Sequence, residues 1–171
     1  MDAQMKPARS IALLSVLLGS LAPFPAAGQA GPPQPVNWAM KLTQPAAPIK
    51  AGGTFDAIVT VKIDEGWHVY AADEVPGGPR PLLIALAEKS PFRAGGSLKA
   101  PDPERDMDQS FGQVTAFYKT DTTFRLPVAV PSGLAAGAHV LVVEVAFQAC
   151  DGRICLPSRV TRLKTSVIIS K

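Results

Sequence analysis

The run LVVEVAF, residues 141–147, places Leu141, Val143, Val145 and Phe147 on one side of an extended chain and Val142, Glu144 and then Gln148 on the other. Successive side chains leave a strand on opposite faces, so this period of two predicts a β-strand with one face on a core. The same period recurs outward in both directions. Trp38, Met40 and Leu42 alternate with Ala39 and Lys41. Val59, Val61 and Ile63 alternate with Thr60, Lys62 and Asp64. Phe124, Leu126, Val128 and Val130 alternate with Arg125, Pro127 and Ala129, and Leu163, Thr165, Val167 and Ile169 with Arg162, Lys164 and Ser166.

Turn residues separate these runs: Ala51-Gly52-Gly53, Asp64-Glu65-Gly66, Pro76-Gly77-Gly78-Pro79, Gly95-Gly96, Pro131-Ser132-Gly133 and Asp151-Gly152. Short alternating strands divided by Gly and Pro predict an all-β sandwich or barrel. Pro127 has no N–H to give a ladder, so it is expected on an edge or at a bulge. The apolar run from Leu82 to Lys89 fits a buried strand or a short helix, and a strand is preferred. Residues 100–112, APDPERDMDQSFG, lose the alternation and are expected to form a long irregular loop.

The first thirty residues do not share this pattern. Lys6 and Arg9 precede an apolar run from Ile11 to Leu21, which is too short to span a bilayer. Pro23 and Pro25 follow, then Gly28 and Ala30 at the −3 and −1 positions of a cleavage site. Residues 1–30 therefore read as a secretory signal peptide cut after Ala30, with Ala27 as the alternative. Residues 31–171 are then one exported domain, large enough for a core of its own. Removing Lys6, Arg9 and Asp2 takes the net charge from +3 to +2. The basic residues are scattered, which argues against nucleic acid as a partner. No later segment is long and apolar enough for membrane insertion after signal cleavage.

Both cysteines fall in FQACDGRICLP, residues 147–157. Asp151-Gly152 favours a tight turn, placing Cys150 and Cys155 on the two limbs of a hairpin within disulfide reach. An exported chain meets oxidising conditions, where such a bond persists. A structural staple is the first reading to weigh. Closing a ring of about six residues stabilises a fold by roughly 2 kcal/mol, against more than 4 for a long loop, and this domain has little need of it. Short constrained disulfides are also the more reducible ones, which favours redox exchange. In that chemistry one thiolate attacks a partner's disulfide and the second cysteine resolves the mixed disulfide. Arg153 would favour a thiolate and Asp151 would oppose it. The residues alone leave two rivals: a non-enzymatic exported β-sandwich binding module with a structural disulfide, and a periplasmic Cu(I)-handling protein using the cysteines with Met107 or His68. Zinc is disfavoured, because no second Cys or His pair follows.

GWHVYA (66–71), GGPRPL (77–82), DQSFGQVTAFY (108–118), LPVAV (126–130) and VAFQACDGRICLPS (145–158) occur in an order that resembles the amino-terminal periplasmic domain of the thiol:disulfide interchange protein DsbD. The resemblance covers most of the chain beyond residue 30, and its last motif is the most specific. It implies an immunoglobulin-like antiparallel β-sandwich, in the periplasm, with Cys150 and Cys155 as the redox-active pair and no other cofactor or metal. It implies exchange between a membrane electron-donor protein and periplasmic thioredoxin-like proteins. These partners would be separate chains, or the domain would be recruited to another use, since the family's protein continues into a transmembrane core and this sequence ends at Lys171. Cys155 is then the cysteine that forms the mixed disulfide, and Cys150 resolves it.

The resemblance also implies a cap loop over the pair, matched by Asp108 to Gly112. Ser110 stands at the cap's usual aromatic position with Phe111 beside it, so Phe111 caps through a one-residue shift or the shielding is weaker. His68 and Tyr70 match a strand whose polar aromatic side chains approach the pair, with His68 in place of a tyrosine. Trp38 and Trp67 are expected to be packing residues, His139 a strand-edge residue, and Met107 an exposed loop residue.

Overall fold

The alternating runs do become strands. In the computed structural model, which describes Met1, residues 34–43 and residues 48–171, the chain forms twelve strands and no helix among the described residues. The signal-peptide expectation for residues 1–30 lies outside the described residues. Gln34–Lys171 make one compact unit.

One sheet runs in the order β1 (Val36–Leu42), β3 (Thr54–Ile63), β9 (Thr122–Ala129) and β6 (Arg93–Ala94). A second runs β2 (Ile49–Lys50), β12 (Arg159–Ser170), β10 (Gly137–Phe147) and β5 (Leu83–Leu86). Pairing is antiparallel except between β2 and β12. The inward residues of both sheets meet in one core. Val59, Phe124 and Val128 from the first sheet and Leu141, Val143 and Val145 from the second are all 0% exposed. Trp38 on β1 reaches across to Phe147 on β10, with ring centroids 5.4 Å apart. Burying each such side chain contributes about 1.5–3 kcal/mol. The result is an all-β, immunoglobulin-like sandwich.

The ambiguous stretch after Leu82 is the strand β5, which pairs Leu83–Leu86 with β10. Pro127 sits in β9 opposite Asp56 of β3. Its neighbour Arg125 donates its N–H outward, to Lys99 O at 2.9 Å. Pro127, two residues on, therefore turns its missing donor to that same outer side, between the Lys99 bridge and the end of β6, where the ladder is interrupted.

A third sheet runs in the order β11 (Ala149–Cys150), β4 (His68–Tyr70), β8 (Gln113–Tyr118) and β7 (Glu104–Asp108). Here the expected loop over 100–112 is corrected. Residues 104–108 pair with β8 from Glu104↔Phe117 to Asp108↔Gln113. The strand was invisible to periodicity because it is an edge: four of its five side chains are exposed and only Asp108 is buried. Charges suit such an edge by discouraging a further strand from pairing. Arg105 meets Asp73 at 3.1 Å, and Glu104 meets Lys119 at 3.3 Å.

Candidate active site

The chain changes sheets at Gln148. β10 ends at Phe147 in the second sheet, and β11 begins at Ala149 in the third. Gln148 holds this crossing in place: its Oε1 accepts the Arg80 N–H at 2.9 Å, and its main-chain oxygen accepts the Tyr70 N–H at 3.4 Å. Two separated sequence motifs, around residues 77–82 and 145–158, thus meet at one glutamine.

Beyond it the cysteine hairpin closes tightly. Asp151 N–H donates to Ile154 O, and Leu156 N–H donates to Ala149 O. Cys150 and Cys155 lie directly opposite one another between those two bonds. In an antiparallel pair that is the non-hydrogen-bonded position, where the side chains come closest. The Cα atoms are 4.1 Å apart, and the sulfurs are joined. The turn itself needs two residues for physical reasons. Gly152 sits at φ +84°, a left-handed conformation that costs an L side chain. Asp151 Oδ1 accepts the N–H groups of Ile154 and Arg153, each at 2.8 Å. Those bonds hold its carboxyl below the ordinary aspartate range, the Ile154 bond most and then Arg153.

The two sulfurs are not equivalent. Cys150 is 0% exposed, whereas Cys155 is half-buried. Cys150 packs with Tyr70 and Phe117 in a small cluster separate from the main core, with Phe111 and Cys155 against it.

Tyr70 comes from β4 and donates its hydroxyl hydrogen to Asp108 Oδ2 at 2.6 Å. Burial, then the Asp108 bond, push the phenol far above its ordinary range, so it stays protonated. The same oxygen lies 4.0 Å from Cys155 Sγ. With its one hydrogen committed to Asp108 and none on the disulfide sulfur, the two atoms are in contact without a hydrogen bond between them. Asp108 also accepts from Ser110 N–H at 2.8 Å and Thr115 Oγ1 at 3.2 Å. Burial works against the carboxylate, but the bonds from Tyr70, Ser110 and Thr115 outweigh it and hold the carboxyl below its ordinary range.

The Asp108–Gly112 segment turns back over the cluster. Gly112 N–H donates to Asp108 O at 2.7 Å, and Gly112 takes φ +65°. Phe111 meets the Tyr70 ring edge to face at 5.8 Å, while Ser110 is exposed. The aromatic on the cluster is therefore Phe111.

His68 opposes Cys150 across the β4–β11 ladder and packs its ring on Tyr70 and Phe117, each 5.0 Å away. Burial lowers its pKa; Asp108 and Asp151 favour the charged form, and Lys119 opposes it. Sequence reasoning missed Thr115, Phe117 and Lys119. Phe117 opposes Tyr70 in the β4–β8 ladder, and Lys119 Nζ lies 4.8 Å from its ring centroid. A period of two from Thr115 to Phe117 was present, but residues 115–118 are buried on both faces, which hides it. Met107 is 52% exposed and alternates with buried Asp108, so it points away from the cysteines. Trp38 and Trp67 pack against the main core, as expected, and His139 lies by Phe92.

A β-sandwich that carries a bonded cysteine pair across a hairpin, one cysteine buried and the other half-buried, fits the class of thiol:disulfide exchange domains. Residues 39–166 match the family described as thiol:disulfide interchange protein DsbD, N-terminal, and the chain belongs to that family. Among solved structures it is similar to the DsbD N-terminal domain of Neisseria meningitidis in its reduced form, at 17% identity and a TM-score of 0.49, covering 77% of this chain and 86% of that one. It is also similar to the N-terminal periplasmic domain of ScsB from Proteus mirabilis, at 14% identity and a TM-score of 0.48, covering 78% of this chain and 45% of that one. No curated protein sequence matches it. Its activity is thiol–disulfide exchange, of the oxidoreductase type.

Proposed function

We propose that Cys155 is the cysteine that forms the mixed disulfide with a partner, and that Cys150 resolves it. The observation that carries this is the difference in burial at the hairpin tip: Cys155 is half-buried, Cys150 is 0% exposed. A partner's sulfur can approach only the first without the cluster opening. Phe111 serves as the cap, taking the place that Ser110 leaves empty, with Asp108 fixing the loop that presents it. Asp108, Tyr70 and His68 are the neighbours that line the pair.

In this reading the reduced pair draws electrons from a membrane electron-donor protein and passes them to disulfides of periplasmic thioredoxin-like proteins. Residues 1–30 act as the signal peptide that delivers residues 31–171 to the periplasm. Among the described residues no helix is long and apolar enough to cross a membrane.

Trapping tests the assignment. Cys150→Ala should accumulate mixed disulfides through Cys155 when the reduced protein meets oxidised thioredoxin-like proteins, and Cys155→Ala should accumulate none. Equal trapping by both variants would refute the division of roles. Equilibration with glutathione tests the redox use itself, because a potential well below about −300 mV would mark an inert structural bond.

A further inference from the structure

We propose that His68 accepts the proton of the Cys150 thiol as the cysteine pair closes. This deepens the exchange reading above and rests on it.

The resolving step needs a base at a buried sulfur. Cys150 is 0% exposed, so bulk water has no direct access to its thiol. The other groups around the pair are already committed. Tyr70 gives its hydrogen to Asp108, and Asp108 accepts from Tyr70, Thr115 and Ser110. Asp151 accepts two amides of its own turn. Lys119 is a cation lying over Phe117. His68 differs from all of these. It is the ladder partner of Cys150, and directly opposed residues on antiparallel strands carry their side chains on one face, with Cβ atoms about 4.5–5.5 Å apart. Its Nε2 is buried and has no hydrogen-bond partner among the described residues.

An unpaired buried ring nitrogen destabilises the state that holds it, so a state of the molecule that supplies its partner gains by comparison. The disulfide state offers none, because Cys150 Sγ has no hydrogen and is tied to Cys155. Reduction frees that sulfur to rotate and gives it a proton. Burial of His68, aided by Lys119 and opposed by Asp108 and Asp151, keeps the ring neutral near pH 7 and so able to accept.

The step balances as follows. Cys155 thiolate attacks one sulfur of a partner disulfide, forming the mixed disulfide and releasing the partner's first thiolate. The Cys150 S–H proton passes to His68 Nε2 as Cys150 Sγ attacks Cys155 Sγ. The Cys150–Cys155 bond forms, the bond to the partner breaks, and the partner's second thiolate leaves and takes up a proton. Two electrons pass from the dithiol to the partner. His68 returns its proton to solvent. In the reverse direction protonated His68 hands the proton to Cys150 as it leaves.

The test mixes the reduced protein with dithiobis(nitrobenzoate) in a stopped-flow instrument. The first equivalent of coloured thiolate reports attack by Cys155, and the second reports resolution by Cys150. His68→Phe keeps a ring against Tyr70 and Phe117, and His68→Gln keeps polarity without a titrating base. In the unaltered protein the second phase should fall as pH drops through a value below 6.5, and level off above it. Both variants should lose that plateau and slow the second phase at pH 7 on the order of a hundredfold, the lower end of what a positioned general base contributes. The first phase should be unchanged. A second phase that keeps its rate and pH profile in a folded variant overturns the role of His68. Release of only one equivalent by the unaltered protein overturns the exchange reading instead.

Discussion

Asp108 accepts three hydrogen bonds: from the Tyr70 hydroxyl at 2.6 Å, the Ser110 amide at 2.8 Å and the Thr115 hydroxyl at 3.2 Å. These favour its ionised form, so its folded-state pKa lies below the unfolded value of about 3.9. A depressed folded pKa contributes stability that is fully present above the unfolded value and is lost as pH falls through the folded one. Asp108→Asn should therefore cost about 1.5–3 kcal/mol at pH 7, the usual worth of hydrogen bonds to a charged group. Over the window below about pH 4, through the depressed folded-state pKa, the gap between variant and unaltered protein should narrow, which urea unfolding at each pH would measure. A gap constant across that window would mean that the carboxylate charge contributes nothing. At this scale the sequence was partly legible. Asp108, Tyr70, His68 and Phe111 were all marked for the site, but only through the resemblance. The choice between Ser110 and Phe111 needed coordinates, because a one-residue shift in a turn changes which side chain faces inward. Thr115 carried no signal, since a threonine in a strand looks the same whether or not it meets a buried carboxylate.

The cysteine hairpin was the most readable element, because Asp-Gly between apolar limbs has few other geometries. Gly152 at φ +84° is its conformational requirement. An alanine there would carry about 1–2 kcal/mol of left-handed strain. The reduced hairpin can relax some of that strain, whereas the disulfide form must hold the turn. Gly152→Ala should therefore make the bond easier to reduce, moving the potential upward by roughly 30 mV for each 1.4 kcal/mol carried by the oxidised form. Glutathione equilibration of variant and unaltered protein would show it, and an unmoved potential would mean that both states keep the turn. β7 shows the opposite case. Its Glu104, Arg105, Asp106 and Met107 are exposed while its main chain pairs with β8 on one side, so no apolar alternation marks it. Edge strands of this kind are set by the partner strand, here β8, and not by their own composition.

Among the described residues, packing falls into two bodies that do different work. Leu141, 0% exposed on β10, belongs to the core between the two large sheets. Phe117, 5% exposed on β8, belongs to the cluster with Tyr70 and Cys150. The alternation in β1, β3, β9, β10 and β12 made the first body legible from sequence. The second is assembled from β4, β8, β11 and the 108–112 turn, too short or too uniformly buried to show a period. This division predicts that stability and exchange separate on mutation. Leu141→Ala should lower the unfolding free energy by about 2–5 kcal/mol, as large-to-small core changes do. The active-site cluster does not contain Leu141, so thiol exchange per folded molecule should stay within about twofold of the unaltered rate. Phe117→Leu should cost less stability yet change the exchange rate by more. It removes the ring on which His68 packs and over which Lys119 lies. Urea unfolding and stopped-flow exchange on the same preparations measure both quantities. If Leu141→Ala slowed exchange in proportion to its lost stability, the sandwich and the redox tip would have to be one cooperative packing unit, and the scaffold would be part of the chemistry.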